Sequence, residues 1–286
     1  MTPALRATVL AVAVAAVGAL EAARPSAAAA PRLAVTTVHR IAAPRGVLAT
    51  SGGWPYCEQV RALAQRLRYT LVCGRYALDG YTGPGLRGRR HVDWGNPGYL
   101  AELAADIARE HRRAGGRLVV VGVSYSGFGV ATLVAHHPEL APDQLVVVDS
   151  YLDLVTRRRR LPDTHETARE IDQEAGTIVA SLRQRSAGAS GLGAAVRAGT
   201  RITVVWSISE HERRLFHGAT CGIDASARTM QRVAERLRRP VAVWVTRTRH
   251  GVNLWRYGAR ILGGRPPGTR FVLRPHRPIP PAAVCP

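Results

Sequence analysis

A serine set among small residues is the part of this sequence best suited to chemistry. Ser124 stands in Leu118-Val-Val-Val-Gly122-Val-Ser124-Tyr125-Ser126-Gly127-Phe-Gly129-Val130. The unbroken apolar run Leu118 to Val121 reads as a strand buried on both faces of a parallel sheet. Ala131 to His137 reads as a helix that ends before Pro138. Between them Gly122, Ser126, Gly127 and Gly129 keep bulk away from Ser124. A sharp strand-to-helix turn needs such neighbours, because backbone and sheet approach closely there, and it lifts the central hydroxyl clear of the sheet as a potential nucleophile. The same pattern also suits a tight packing turn or one that holds a phosphate at a helix N-terminus. Partners elsewhere in the chain decide between these readings.

Three other stretches place reactive groups where the ends of strands would be. Ser51-Gly52-Gly53-Trp54-Pro55 lies between a short apolar strand, Gly46 to Thr50, and a helix from about Cys57 to Leu67. A glycine pair there lets backbone N–H groups point at a ligand with no side chain in the way. Asp149 ends the apolar run Leu145 to Val148, at the edge where parallel sheets bind ligands. His250-Gly251 follows the run Val241 to Val245. His136, His137, His211 and His217 lack both a strand before and a glycine after.

Gly122-Val123-Ser124-Tyr125-Ser126 resembles the nucleophile elbow, G-x-S-x-G, of the α/β-hydrolase superfamily, with serine replacing the last glycine. The resemblance implies an α/β fold with a mostly parallel central sheet, helices on both faces and a short cap insertion. It makes Ser124 the nucleophile and His250, 126 residues later, the general base. The Ser51 loop is similar to the His-Gly-Gly-Trp oxyanion loop, with Ser51 where the histidine usually stands. Gly53 or Trp54 would then donate one backbone N–H to the oxyanion, and Tyr125 the other. The triad acid falls between serine and histidine. Glu210, after the strand Ile202 to Ile208, is favoured, and Asp149, Glu212 and Asp224 remain alternatives. Asp224 is also suited to N-cap a helix from Ala225 to Arg238.

The rest of the chain continues the strand and helix alternation. Leu33 to Arg40 reads as an edge strand, Thr70 to Cys73 as a strand and Tyr99 to Arg113 as a helix. Asp79 and Asp93 fall in turn-rich sequence and read as solvated turn formers. Strand patterning stops over 151–200, where Arg157 to Arg160 precede a charged helical stretch, Asp163 to Arg185, and a loop, Ser186 to Gly193. Such a segment could not carry its own core, and reads as the cap.

Residues 1–30 read as a signal peptide: one charge, the apolar run Ala7 to Leu20, then an alanine-rich stretch suited to cleavage near Ala28 to Ala30. Residues 31–286 form the expected hydrolase domain, secreted or otherwise extracytoplasmic. No run is long enough for a transmembrane segment. Four cysteines in an exported chain suggest two disulfides, with Cys57 to Cys73 and Cys221 to Cys285 the favoured pairing, the second tying the Pro-rich tail Pro266 to Pro286 to the body. No zinc spacing occurs, and the expected chemistry uses no metal or organic cofactor.

The formal charge is +20, its positive side chains all being arginine because the sequence has no lysine. Such a surface attracts anionic polymers non-specifically. Aromatic residues at 6% and the lack of a binding motif argue against specific nucleic-acid reading. The sequence therefore points to a secreted serine hydrolase acting on a small-molecule or lipid-like carboxylic ester. A prolyl-aminopeptidase-like peptidase and a non-catalytic hydrolase-like protein binding anionic envelope polymers are the alternatives.

Overall fold

Runs of valine and leucine without a polar break build the centre of the sheet. In β4 (Arg117–Val123), Leu118 and Val120 enter one core cluster while Val119, Val121 and Val123 enter the other. The period of two sends alternate side chains to opposite faces, so a strand covered on both sides must be apolar throughout. Each such side chain contributes roughly 1.5–3 kcal/mol on burial. β2 (Gly46–Thr50) and β5 (Gln144–Val148) are buried along their whole length for the same reason.

The structure is a computed structural model and describes residues 33–51, 56–76, 97–123, 125–150, 152, 188–207, 222–248 and 252–280. Gly53, Trp54, Ser124, Glu210, Glu212, His250, Cys221 and Cys285 lie outside these residues, as do Asp79, Asp93, the expected leader and 153–187 of the expected cap.

Eight strands make one sheet. The others are β1 (Ala34–His39), β3 (Thr70–Tyr76), β6 (Arg201–Ser207), β7 (Val241–Thr246) and β8 (Thr269–Leu273), and the order is β1-β3-β2-β4-β5-β6-β7-β8. The six strands from β2 to β7 run parallel to their neighbours, while β1 and β8 close the two edges antiparallel. One face is covered by α1 (Tyr56–Leu67) and α6 (Val252–Leu262). The other carries α2 (Pro97–Ala114), α3 (Tyr125–His136), α4 (Gly188–Arg197) and α5 (Gly222–Leu237). A mostly parallel sheet in this order, with helices on both faces, is the α/β-hydrolase fold that the elbow motif implies. Leu33–Pro286 forms one compact unit. No helix among the described residues is long and apolar enough to cross a membrane.

Four elements differ from the sequence expectation. Thr269–Leu273 is a strand inside the supposed Pro-rich tail, paired with β7 from Val241↔Leu273 to Val245↔Thr269. α3 starts at Tyr125, six residues before the expected Ala131. α4 replaces the expected loop Ser186 to Gly193, and its Leu192 and Ala195 are buried in the core beside α3 and α5, so this end of 151–200 belongs to the body. α5 begins at Gly222, which puts Asp224 inside the first turn and not at the N-cap.

Cys57 and Cys73 form the expected disulfide, with Cα atoms 5.8 Å apart. It ties the first turn of α1 to β3, just beyond the loop 52–55. With a sequence separation of 16, its removal as Cys57→Ala/Cys73→Ala is expected to lower stability by about 3 kcal/mol, measured by urea unfolding.

Candidate active site

The C-terminal ends of β2, β4, β5, β6 and β7 lie side by side in that order. The segments that leave these ends carry, respectively, Gly53 and Trp54, Ser124, Asp149, Glu210 and Glu212, and His250. The described ends of β2, β4, β5, β6 and β7 thus share one edge of the sheet. Buried hydroxyl and carboxyl groups mark this edge: Thr50, Ser51, Ser126, Asp149, Ser150, Ser207 and Thr246.

β4 ends at Val123 and α3 begins at Tyr125, so strand passes to helix across position 124 alone. A Cβ at Gly122 would lie 2.4 Å from the Ser126 carbonyl oxygen and 2.5 Å from Gly127 Cα. One at Gly127 would lie 2.4 Å from Ser150 Cβ. Both glycines are required by close approach to backbone and to β5's end. Tyr125, the first helical residue, has one of the backbone N–H groups that a helix leaves free at its N-terminus, where an anion is favoured.

Ser126 turns the departure from G-x-S-x-G into a clip. Its Oγ accepts a hydrogen bond from the Val123 N–H and donates one to the Val123 carbonyl, both at 2.8 Å. Glycine could make neither. Ser126→Gly, which restores the usual motif, is therefore expected to lose about 1–2 kcal/mol in urea unfolding, not to gain stability.

Ser51 joins the end of β2 to the start of α3. Fully buried, it follows β2 directly, and its Oγ donates to the Ser126 carbonyl at 3.0 Å. Its own carbonyl accepts from the Tyr99 hydroxyl at 3.1 Å. Tyr99 is completely enclosed, and burial pushes its phenol well above its ordinary range, so it stays a neutral donor. Serine in place of the expected histidine thus has a definite structural task.

Asp149 links the loops of the other side. It holds a left-handed backbone, φ 51°, unusual for a non-glycine residue, while only 4% exposed. Its Oδ1 accepts from the Ser207 N–H at 2.5 Å and its Oδ2 from the Ser207 hydroxyl at 2.8 Å. Thr248 Oγ1 in turn donates to Ser207 Oγ at 3.2 Å. This chain spans the ends of β5, β6 and β7, just before the segments that carry Glu210 and His250. Neither Ser207 nor Thr248 is singled out by sequence reasoning. The available signal is a hydroxyl residue closing a valine-rich strand. Of the four acid candidates, Asp149 alone has a described side chain.

The one grouping of metal-ligand types among the described residues is His39, Cys57 and Glu58. Its sulfur is held in the disulfide and its carboxylate pairs with Arg61 at 2.6 Å, which leaves no ready ligand set.

No protein-family model and no curated protein sequence matches the chain. Among solved structures it is similar to a carboxylesterase of the thaumarchaeon Nitrososphaera gargenis, at 12% identity over 81% of this chain and 93% of that one, with TM-score 0.44. A protein of Thermus thermophilus is similar at 17% identity over 80% and 92%, TM-score 0.44. A sugar hydrolase of Lactococcus lactis is similar at 11% identity over 79% and 84%, TM-score 0.43. What the chain's own strand order and strand-to-helix junction establish is its fold, that of the α/β-hydrolases.

Proposed function

We propose that the protein is a secreted serine hydrolase that cleaves a carboxylic ester, with Ser124, His250 and Glu210 as its triad. The observation that carries this reading is the elbow: position 124 is the sole residue between a buried strand and a helix N-terminus. Gly122, Ser126 and Gly127, on either side of it in sequence, are held in close backbone contact.

In this reading His250 takes the Ser124 proton as the oxygen attacks the acyl carbon, and the C–O bond to the alcohol breaks as the imidazolium returns that proton. Backbone N–H groups at Gly53 or Trp54 and at Tyr125 hold the oxyanion, each donor being worth about 3 kcal/mol. Water, deprotonated by the same imidazole, releases the acid. Glu210 steadies the imidazolium. The leader over 1–30 and the disulfide support export.

A panel of 4-nitrophenyl esters of increasing acyl length tests the substrate class. Turnover that disappears in Ser124→Ala is expected. Cleavage of peptides with N-terminal proline, with no ester turned over, would instead make the protein a peptidase.

A further inference from the structure

At the opposite end of the sheet, where the parallel strands begin, two arginines converge. Arg117 opens β4 and Arg201 opens β6, with β5 between them. Nη2 of each donates to the same atom, Oε1 of Gln144, at 2.8 Å in both cases. Gln144 is fully buried and fixed, because its Nε2 donates to Thr203 Oγ1 at 3.0 Å and to the Ile261 carbonyl at 3.3 Å. Arg201 is anchored again by the Leu262 carbonyl at 2.9 Å, near the end of α6. Gly264 makes room for it, since a Cβ there would lie 2.9 Å from Arg201 Nη1.

Amide and carbonyl oxygens hold these guanidiniums but do not neutralise them. Among the described residues no carboxylate forms an ion pair with either one. Asp143, the neighbouring acid, accepts at Oδ2 a hydrogen bond from the Leu118 N–H at 2.8 Å. Burial and the charge of Arg117 both hold the Arg201 pKa below its ordinary value. Arg201 is nevertheless exposed and Arg117 half-buried, so the outer N–H groups of the pair meet solvent. Two like charges fixed side by side, with the N–H groups not engaged by Gln144 and Leu262 as further donors, suit the oxygens of a doubly charged oxoanion.

We propose that Arg117 and Arg201 form a binding site for a phosphate group, carried by free phosphate, a phosphomonoester or a lipid headgroup. The site is independent of the hydrolase reading, because it lies at the far edge of the sheet and uses none of the candidate catalytic residues.

Thermal unfolding of the full-length protein in inorganic phosphate, against chloride at equal ionic strength, is the test. Phosphate is expected to raise the wild-type Tm, and chloride is not. Arg117→Gln and Arg201→Gln should each weaken phosphate binding about tenfold. Without phosphate, Arg201→Gln loses a repulsion and two hydrogen bonds together and should still unfold cooperatively, so that a lost phosphate shift reads binding and not folding. Arg201→Lys keeps the charge, loses the planar guanidinium that Gln144 and the Leu262 carbonyl hold in place, and should fold while binding less tightly. Titration with glycerol phosphate and sedimentation with phosphatidic acid vesicles separate the two sources, and either interaction, lost in the double variant, upholds the site. A phosphate shift no larger than that in chloride, or one equal in the double variant, overturns it. Equal binding by Arg201→Lys overturns the paired-guanidinium geometry.

Discussion

Gly122→Ala is expected to cost about 3 kcal/mol of stability and to slow acylation of Ser124 about 100-fold in the protein that still folds. The added Cβ would lie 2.4 Å from the Ser126 carbonyl oxygen, 2.5 Å from Gly127 Cα and 2.6 Å from Gly127 N. All three are backbone atoms, so no rotamer change relieves the clash. The strand end and the start of α3 must separate, and position 124 lies between them. Urea unfolding and the rate of reaction with a fluorophosphonate probe measure the two effects. Gly193→Ala is the control, because its Cβ would meet nothing closer than 3.8 Å. Within α4 that change should stabilise by about 0.5–1 kcal/mol and leave the probe rate unchanged.

Asp149→Ala is expected to lose about 3–5 kcal/mol in urea unfolding. It would leave the buried Ser207 N–H and hydroxyl without their carboxylate acceptors, and place alanine at a positive φ. The ends of β5, β6 and β7 would keep their backbone ladders but lose the side-chain clamp across them. Asp149→Asn separates this clamp from a direct role as triad acid. Asparagine tolerates the left-handed backbone and still offers one oxygen, so stability should fall by only about 1–2 kcal/mol. If Asp149 is a clamp, Asp149→Asn keeps much of the probe reactivity, whereas Glu210→Gln loses most of it with little change in stability. A loss in Asp149→Asn as deep as in His250→Ala, with Glu210→Gln unaffected, would move the acid to Asp149.

The parallel strands were legible because burial on both faces leaves so little choice of residue. Leu118 to Val121 and Leu145 to Val148 contain no polar side chain, and each is the centre of an observed strand. α3 was harder to read, since Ser126, Gly127 and Gly129 resemble loop residues. At Gly127 the glycine answers tertiary packing against Ser150 and Val147, which overrides its poor helix propensity. α4, Gly188–Arg197, misleads in the same way, with small residues covering the core through Leu192 and Ala195. β8 is five residues between prolines, and only its ladder with β7 identifies it. At the candidate site, residue types and chain order single out the candidates Ser124, Glu210 and His250. The supports, Ser207 and Thr248, remained hidden because their value lies in hydrogen bonds between distant strands.

Fluorophosphonate labelling of the disulfide-intact protein, with the modified peptide identified by mass, tests the central claim most directly. A single adduct on Ser124, absent from Ser124→Ala and from His250→Ala, is the predicted result. A folded wild-type protein that stays unlabelled, or an adduct that persists in Ser124→Ala, would contradict it.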